Sequence, residues 1–231
     1  MAKKKGQEKG TEFYENPEVL AQQLSRTEHF IENNKKIVLG FGGLIAIVIV
    51  AFFGYRYYMD NQNEMAQREM FQAVYWFENA EYELALNGDG NNLGFLDILS
   101  DYGATKSGNL AAYYVGSIYL QKGEFENAID HLEDFSSDDL LVQSRAYSLI
   151  GDAYMELGNY SKAADEYGKA ASHKSTSEFS PIYLLKQGLA HEKANNIEGA
   201  IKSYKQIVED YSKSKEVTEA KKYLSLLEAK Q

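Results

Sequence analysis

The 231-residue chain has no cysteine, only two prolines (Pro17 and Pro181) and a single tryptophan. Without thiols it has no disulfide framework, no Cys-ligated zinc site and no thiol nucleophile. Sparse proline beside plentiful Ala, Leu, Glu, Lys and Tyr is a composition for helices. Excess positive charge is lacking as well. Residues 1–56 hold 8 Lys/Arg against 6 Asp/Glu, and the remainder holds 16 against 28. A balance of about −12 on the larger part repels a phosphate backbone, so no nucleic acid is expected as a partner.

Motifs that carry chemistry are missing too. The four histidines, His29, His131, His173 and His191, are far apart and form no i, i+4 metal pair. Asp138 and Asp139 follow two serines and suit the start of a helix, where carboxylates meet the positive end of the dipole. The stretch "NGDGNN" at 87–92 lacks the spaced acids and closing Glu of a calcium loop and reads as a turn. There is no phosphate-cradling glycine loop and no nucleophile elbow. The expectation is a non-enzyme without catalytic residues, metal, cofactor or small-molecule substrate.

What is present begins with one apolar run. From Ile37 to Phe53 no residue is charged or strongly polar, and Gly54, Tyr55, Tyr57 and Tyr58 extend it. At 1.5 Å per residue, Ile37 to Tyr58 covers about 33 Å, enough for a hydrocarbon core of about 30 Å. A core helix keeps a polar face, and this run has none. The tyrosines around Arg56 fit one membrane interface, and Lys35 and Lys36 mark the other. The run starts too far in, and ends in residues too large, for a cleavable signal. Basic residues concentrate before it, which places the N-terminus in the cytoplasm and the C-terminal part outside. Gly40, Gly42, Gly43 and Ala46 form a small-residue patch as a candidate contact for another membrane helix. Ahead of the span, Asn16 as N-cap, Pro17 at the first position and Val19, Leu20, Leu24, Thr27, Phe30 and Ile31 on one side predict an amphipathic helix.

Beyond the span the chain repeats itself. "YYVGSIYLQKGEFENAIDHL" from Tyr113, "SLIGDAYMELGNYSKAADEY" from Ser148 and "LKQGLAHEKANNIEGAIKSY" from Leu185 align with one another. Gly116, Gly151 and Gly188 coincide, as do Tyr119, Tyr154 and His191, Ala128, Ala163 and Ala200, and Leu132, Tyr167 and Tyr204. This resembles the tetratricopeptide repeat, an early Gly, a Tyr three positions on, then Ala and an aromatic in a second helix. The small residues let two helices approach closely, and the aromatics fill the space around that contact. Gly123, Gly158 and Asn195 fall where the first helix must end in a left-handed residue. His191, at a packing-tyrosine position, reads as structural.

A degraded first unit is expected over residues 62–106, because "ILSDYGATKS" from Ile98 matches "IVEDYSKSKE" from Ile207. That register sets Tyr82 opposite His191 and Phe95 opposite Tyr204, puts Asn79 and Asn91 at the small positions, and makes "NGDGNN" the turn. Val217, Ala220, Tyr223, Leu224 and Leu227 give a last helix one apolar stripe, as a cap on a solenoid requires. The fold class is therefore all-α: an N-terminal transmembrane helix, a tetratricopeptide-repeat-like α-solenoid of about four helical pairs, and a C-terminal capping helix. The segments are a cytoplasmic leader with the amphipathic helix at 1–36, the span at 37–58 and a periplasmic repeat domain at 59–231.

A solenoid of this kind offers a concave surface made by the first helix of each pair, at positions not used for helix packing. Carried over from the repeat pattern, these are Tyr113, Ser117 and Gln121, then Arg145, Ser148, Asp152 and Glu156, then Leu185, Leu189 and Lys193. They lack the set of basic residues that clamps acidic chaperone tails. The whole layout resembles the bacterial YfgM-like family of ancillary translocon subunits. Membership implies a bilayer anchor in the inner membrane, association with SecYEG and with a membrane-anchored, prolyl-isomerase-like periplasmic chaperone, and a part in handing over secretory proteins. The alternative is a structural scaffold for another envelope machine, for secretion, motility or outer-membrane assembly.

Overall fold

The computed structural model describes residues 17–229, which form eleven helices and no strand. They fall into two units, one ending at Tyr58 and one beginning at Met59. The first holds α1 (Pro17–Asn33) and the start of α2 (Lys35–Glu78). Asn34 separates the two helices, its backbone and side-chain N–H groups both donating to the Phe30 carbonyl. The N-cap assigned to Asn16 and the side chains of Val19 and Leu20 lie outside the described residues, while Leu24, Phe30 and Ile31 are exposed. The apolar stretch of α2 is long enough to cross a membrane, and none of it is buried. It is thus no core helix among the described residues.

The second unit contains the end of α2, α3 (Tyr82–Asn87), α4 (Phe95–Tyr102), α5 (Lys106–Lys122), α6 (Phe125–Asp134), α7 (Leu140–Glu156), α8 (Tyr160–Ser172), α9 (Ser180–Lys193), α10 (Ile197–Asp210) and α11 (Val217–Glu228). Helices α5/α6, α7/α8 and α9/α10 are the three repeats legible in the sequence. A Cβ added at Gly116 would lie 2.6 Å from Leu132 Cγ, one at Gly151 would lie 2.7 Å from the Tyr167 ring, and one at Gly188 would lie 2.3 Å from the Tyr204 ring. The recurring glycine is therefore the contact point of each pair, and the residue opposite fills it.

Each first helix ends in the same turn. Gly123, Gly158 and Asn195 have φ of 77°, 72° and 56°, and the next residue's N–H reaches back to the Tyr119, Tyr154 and His191 carbonyls at 2.8–2.9 Å. Helix starts are capped less uniformly. Thr105 accepts from the Gly108 N–H, and Asp139 accepts from the Leu141 and Val142 N–H groups at 2.8 and 3.0 Å. Those bonds hold the Asp139 carboxyl below its ordinary range.

The first unit of the solenoid corrects the expected register. Its turn is at Ala80, with φ 58° and the Glu81 N–H bonded to the Trp76 carbonyl, as in the other three repeats. Counting from that turn, Ala73 stands where Gly188 does, Trp76 where His191 does and Ala85 where Ala200 does. Asn79 and Asn91 are not the small positions, and Tyr82 does not match His191. Phe95 and Ile98 still match Tyr204 and Ile207, and all four are fully buried. The two registers differ by the six residues of "NGDGNN", which is an insertion within the second helix and splits it into α3 and α4. Asp89 closes this insertion by accepting from the N–H groups of Asn91 and Asn92 at 2.9 and 2.7 Å.

Helices α3 and α4, of 6 and 8 residues, together equal the 14 of α10. Deleting residues 87–92 is therefore expected to join them into one helix on the same core, with far-ultraviolet circular dichroism undiminished. A large loss of helix would give the insertion a structural role instead.

Four apolar clusters run along the unit. Trp76, Leu86, Phe95 and Ile98 meet Val115 and Ile118 of α5, and Leu132 and Phe135 meet Ala146 and Ile150 of α7. Ala163 and Tyr167 meet Ala190, and Tyr204 and Ile207 meet Ala220 and Leu227 of α11. The stripe on α11 closes the last repeat as the pattern required. At the other end no earlier repeat covers Phe71 and Tyr75, which are 77% and 55% exposed.

Candidate functional site

Helices α5, α7 and α9 carry the ten residues proposed to face a partner. Gln121, Arg145, Glu156 and Lys193 are exposed and free of packing duty. The others are not, which corrects the expectation that none serves packing. Ser117 and Ser148 are buried, and Ser117 Oγ donates to the Tyr113 carbonyl at 2.7 Å. The Tyr113 ring lies 5.5 Å from Phe135 and 5.7 Å from Tyr114. Leu185 packs on the core around Leu184 and Tyr204, and Leu189 is half-buried. The reason is repeat stacking: adjacent first helices touch one another along the inner face as well as their own second helices.

Asp152 is the junction of three helices. It accepts from the Tyr167 hydroxyl of α8 at 2.6 Å and from Lys186 Nζ of α9 at 2.8 and 2.9 Å. Lys186 also donates to Ser148 Oγ at 3.2 Å and lies 5.4 Å from the Tyr167 ring centre. Burial first, and the Asp152 charge second, push the Tyr167 hydroxyl far above its ordinary range.

Two tyrosines belong to the neighbouring first helices, Tyr113 on α5 and Tyr183 on α9. Burial raises the hydroxyls of both, and the Arg145 charge opposes the rise. The spacing of the repeats did not single out Tyr183, Lys186 or Tyr167 for this face. One signal was available: Lys186 occupies the place of Leu149 and Tyr114 in the preceding repeats. A cation in an apolar inter-repeat position calls for an anion on the neighbouring repeat.

Within the apolar stretch of α2, a Cβ added at Gly40, Gly42 or Gly43 would meet nothing within 4 Å, and Ala46 is exposed. A cleft of about 520 Å³ lined by Phe135, Gln143, Tyr147, Glu166, Lys169 and His173 contains none of the ten residues. His191 is half-buried, with Nδ1 3.3 Å from Asn196 Nδ2, and desolvation lowers its proton affinity against a small opposing effect of Asp165.

His191 makes the fold sensitive to acid. Its folded value lies below the ordinary 6.5, so in the window just below pH 6.5 the unfolded chain binds more protons and stability falls as pH falls. His191→Tyr restores the residue of the two preceding repeats, Tyr119 and Tyr154. It should flatten the dependence of the melting temperature on pH between about 6.5 and 5.5, whereas an unchanged slope would assign the acid sensitivity elsewhere.

A tetratricopeptide repeat family model matches residues 116–179 and 148–215. No curated protein matches the chain. The matched segments fall on the helices α5 to α10, where the glycine contacts and left-handed turns recur. The chain thus contains tetratricopeptide repeats, an architecture of protein–protein interaction scaffolds, and one N-terminal helix long and apolar enough to span a membrane.

Proposed function

We propose that this chain is a membrane-anchored scaffold that holds a protein partner on the inner face of its repeats, as an ancillary subunit of the Sec translocon. In this reading α2 crosses the bacterial inner membrane with the N-terminus in the cytoplasm and the repeats in the periplasm. The partners are SecYEG and a membrane-anchored, prolyl-isomerase-like chaperone. One observation carries the reading: a wholly unburied apolar helix shares the chain with repeats whose inner face keeps Gln121, Arg145, Glu156 and Lys193 exposed. An anchor raises the local concentration of neighbouring membrane proteins, so a modest surface suffices. The layout of short leader, span and acidic repeat domain supports the Sec assignment by resemblance.

The test is photo-crosslinking in native membranes from full-length chain, with the crosslinker at Gln121 or Lys193 and, as controls, at Glu126 or Lys162 on the second helices. Expected are products with SecY or a periplasmic chaperone from the inner positions alone. Products with a different envelope assembly would move the chain to the structural-scaffold class. Products from the second helices alone would refute the inner-face reading.

A further inference from the structure

Helix α2 has two unlike faces over residues 64–78. On one, Ala66, Met70, Ala73 and Trp76 are buried, and Asn63 Oδ1 ties this side to α5 by accepting from the Ser107 N–H at 2.9 Å. On the other, Glu64, Arg68, Phe71, Tyr75 and Glu78 form a stripe exposed at every position. Among the described residues of the second unit, Phe71 and Tyr75 are the most exposed large apolar side chains. A solenoid shields its apolar ends from water. The last helix α11 does so at one end, whereas this stripe leaves the other end open.

We infer that this stripe pairs with the same stripe of a second copy of the chain, as two parallel helices related by a two-fold axis. Three observations select that occupant. The steps from 64 to 68, 71, 75 and 78 are 4, 3, 4 and 3 residues, a seven-residue period that keeps a stripe against another helix, whereas a flat surface imposes no such period. The charges are self-complementary. In a parallel pair Arg68 of each copy stands about 6 Å along the axis from Glu64 of the other, so the two-fold gives two ion pairs beside the Phe71 contact. The anchor sets the height. In the span reading, on which the parallel direction rests, both copies leave one membrane along α2, so equal residues meet, and confinement to that membrane lets a short stripe suffice. Lipid does not cover the aromatic part, because 13 residues, about 20 Å of helix, separate Phe71 from Tyr58.

The chain has no cysteine, so single cysteines report the pairing without background. Full-length Phe71→Cys and Tyr75→Cys in native membranes are expected to give disulfide-linked homodimers on mild oxidation, and Glu126→Cys, exposed on α6, none. The charges are tested in neutral detergent with differently tagged full-length copies. Glu64→Arg and Arg68→Glu, both exposed changes, should each weaken self-association about fivefold, and a mixture of the two variants should restore it, because two cations then face two anions. Absence of homodimer from both cysteine variants, in chain that stays in the membrane fraction, overturns the inference and leaves the anchor reading standing. Disulfides to other proteins in place of homodimers overturn it as well, as does a mixture that associates no better than either charge variant alone. A product from Arg68→Cys mixed with Glu78→Cys, with none from Phe71→Cys alone, would make the pair antiparallel and overturn both this inference and the anchor reading.

Discussion

Ala163→Trp should unfold the third repeat and loosen the fourth. Ala163 is fully buried on α8 in a cluster with Ala164, Tyr167 and Ala190, flanked by Tyr154 and Met155. The facing helix offers no room, because even a methyl group at Gly151 would fall 2.7 Å from the Tyr167 ring. An indole at this point forces α7 and α8 apart. Overpacking of a dense core costs about 1–3 kcal/mol when the neighbours can give, and more when the obstacle is a helix backbone. Separation also breaks the bond from Tyr167 to Asp152, and with it the tie to Lys186 on α9. Nearest-neighbour stacking carries the damage onward. Hydrogen exchange of the full chain should show lost protection in α7 and α8 and weakened protection in α9 and α10. Full protection in α8 would mean that the repeat register is wrong.

That register was readable for three repeats because it rests on a steric necessity. Where two helices touch, only Gly or Ala fits, and the residue facing the gap must be large, so Gly116, Gly151 and Gly188 announce themselves together with Leu132, Tyr167 and Tyr204. The first unit obeys the same rule with Ala73 and Phe95 and was misread for two physical reasons. Its turn uses Ala80 in a left-handed conformation, a residue that gives no turn signal. Its most conspicuous turn sequence, "NGDGNN", belongs to an insertion, so a register carried back from Ile98 arrives six residues out of step. Patterns of small and large residues reveal contacts within a pair, and an insertion is invisible to them until a helix is seen to break.

The inner face was legible to a lesser degree. Helical periodicity placed Tyr113, Arg145 and Asp152 on one side of their helices, but it is silent on how far neighbouring first helices approach. That approach decides that Ser117 and Ser148 are buried while Gln121 and Glu156 stay in solvent. Cross-helix partners such as Lys186 and Tyr167 come from a different repeat or a different helix of the pair, and one helix's period contains no information about them. The apolar run of α2 was legible as a helix long and apolar enough to cross a membrane, because length and apolarity are read directly from the sequence.

The junction at Asp152 gives the second large expected effect. Asp152→Ser should destabilise the repeat unit by about 1–3 kcal/mol, in the lower half of that range because a third of each ion-pair side chain meets solvent. Two donors lose their acceptor, the Tyr167 hydroxyl and the Lys186 ammonium, and the latter is left half-buried among Ser148 and the Tyr167 ring. The preceding junction shows how the same contact is made without charge. There Ser117 stands in the place of Asp152, and Leu149 in the place of Lys186. Asp152→Ser combined with Lys186→Leu therefore copies that junction, removes the stranded ammonium, and should recover much of the stability lost by the first change alone. A buried ion pair replaced as a unit by a packed apolar contact is often neutral, whereas removal of one partner is not. Chemical denaturation of the wild type, both single variants and the double variant supplies the cycle. A coupling below about 0.5 kcal/mol would show that Lys186 finds its stabilisation outside Asp152, and would leave Tyr167 alone as the group that the aspartate serves.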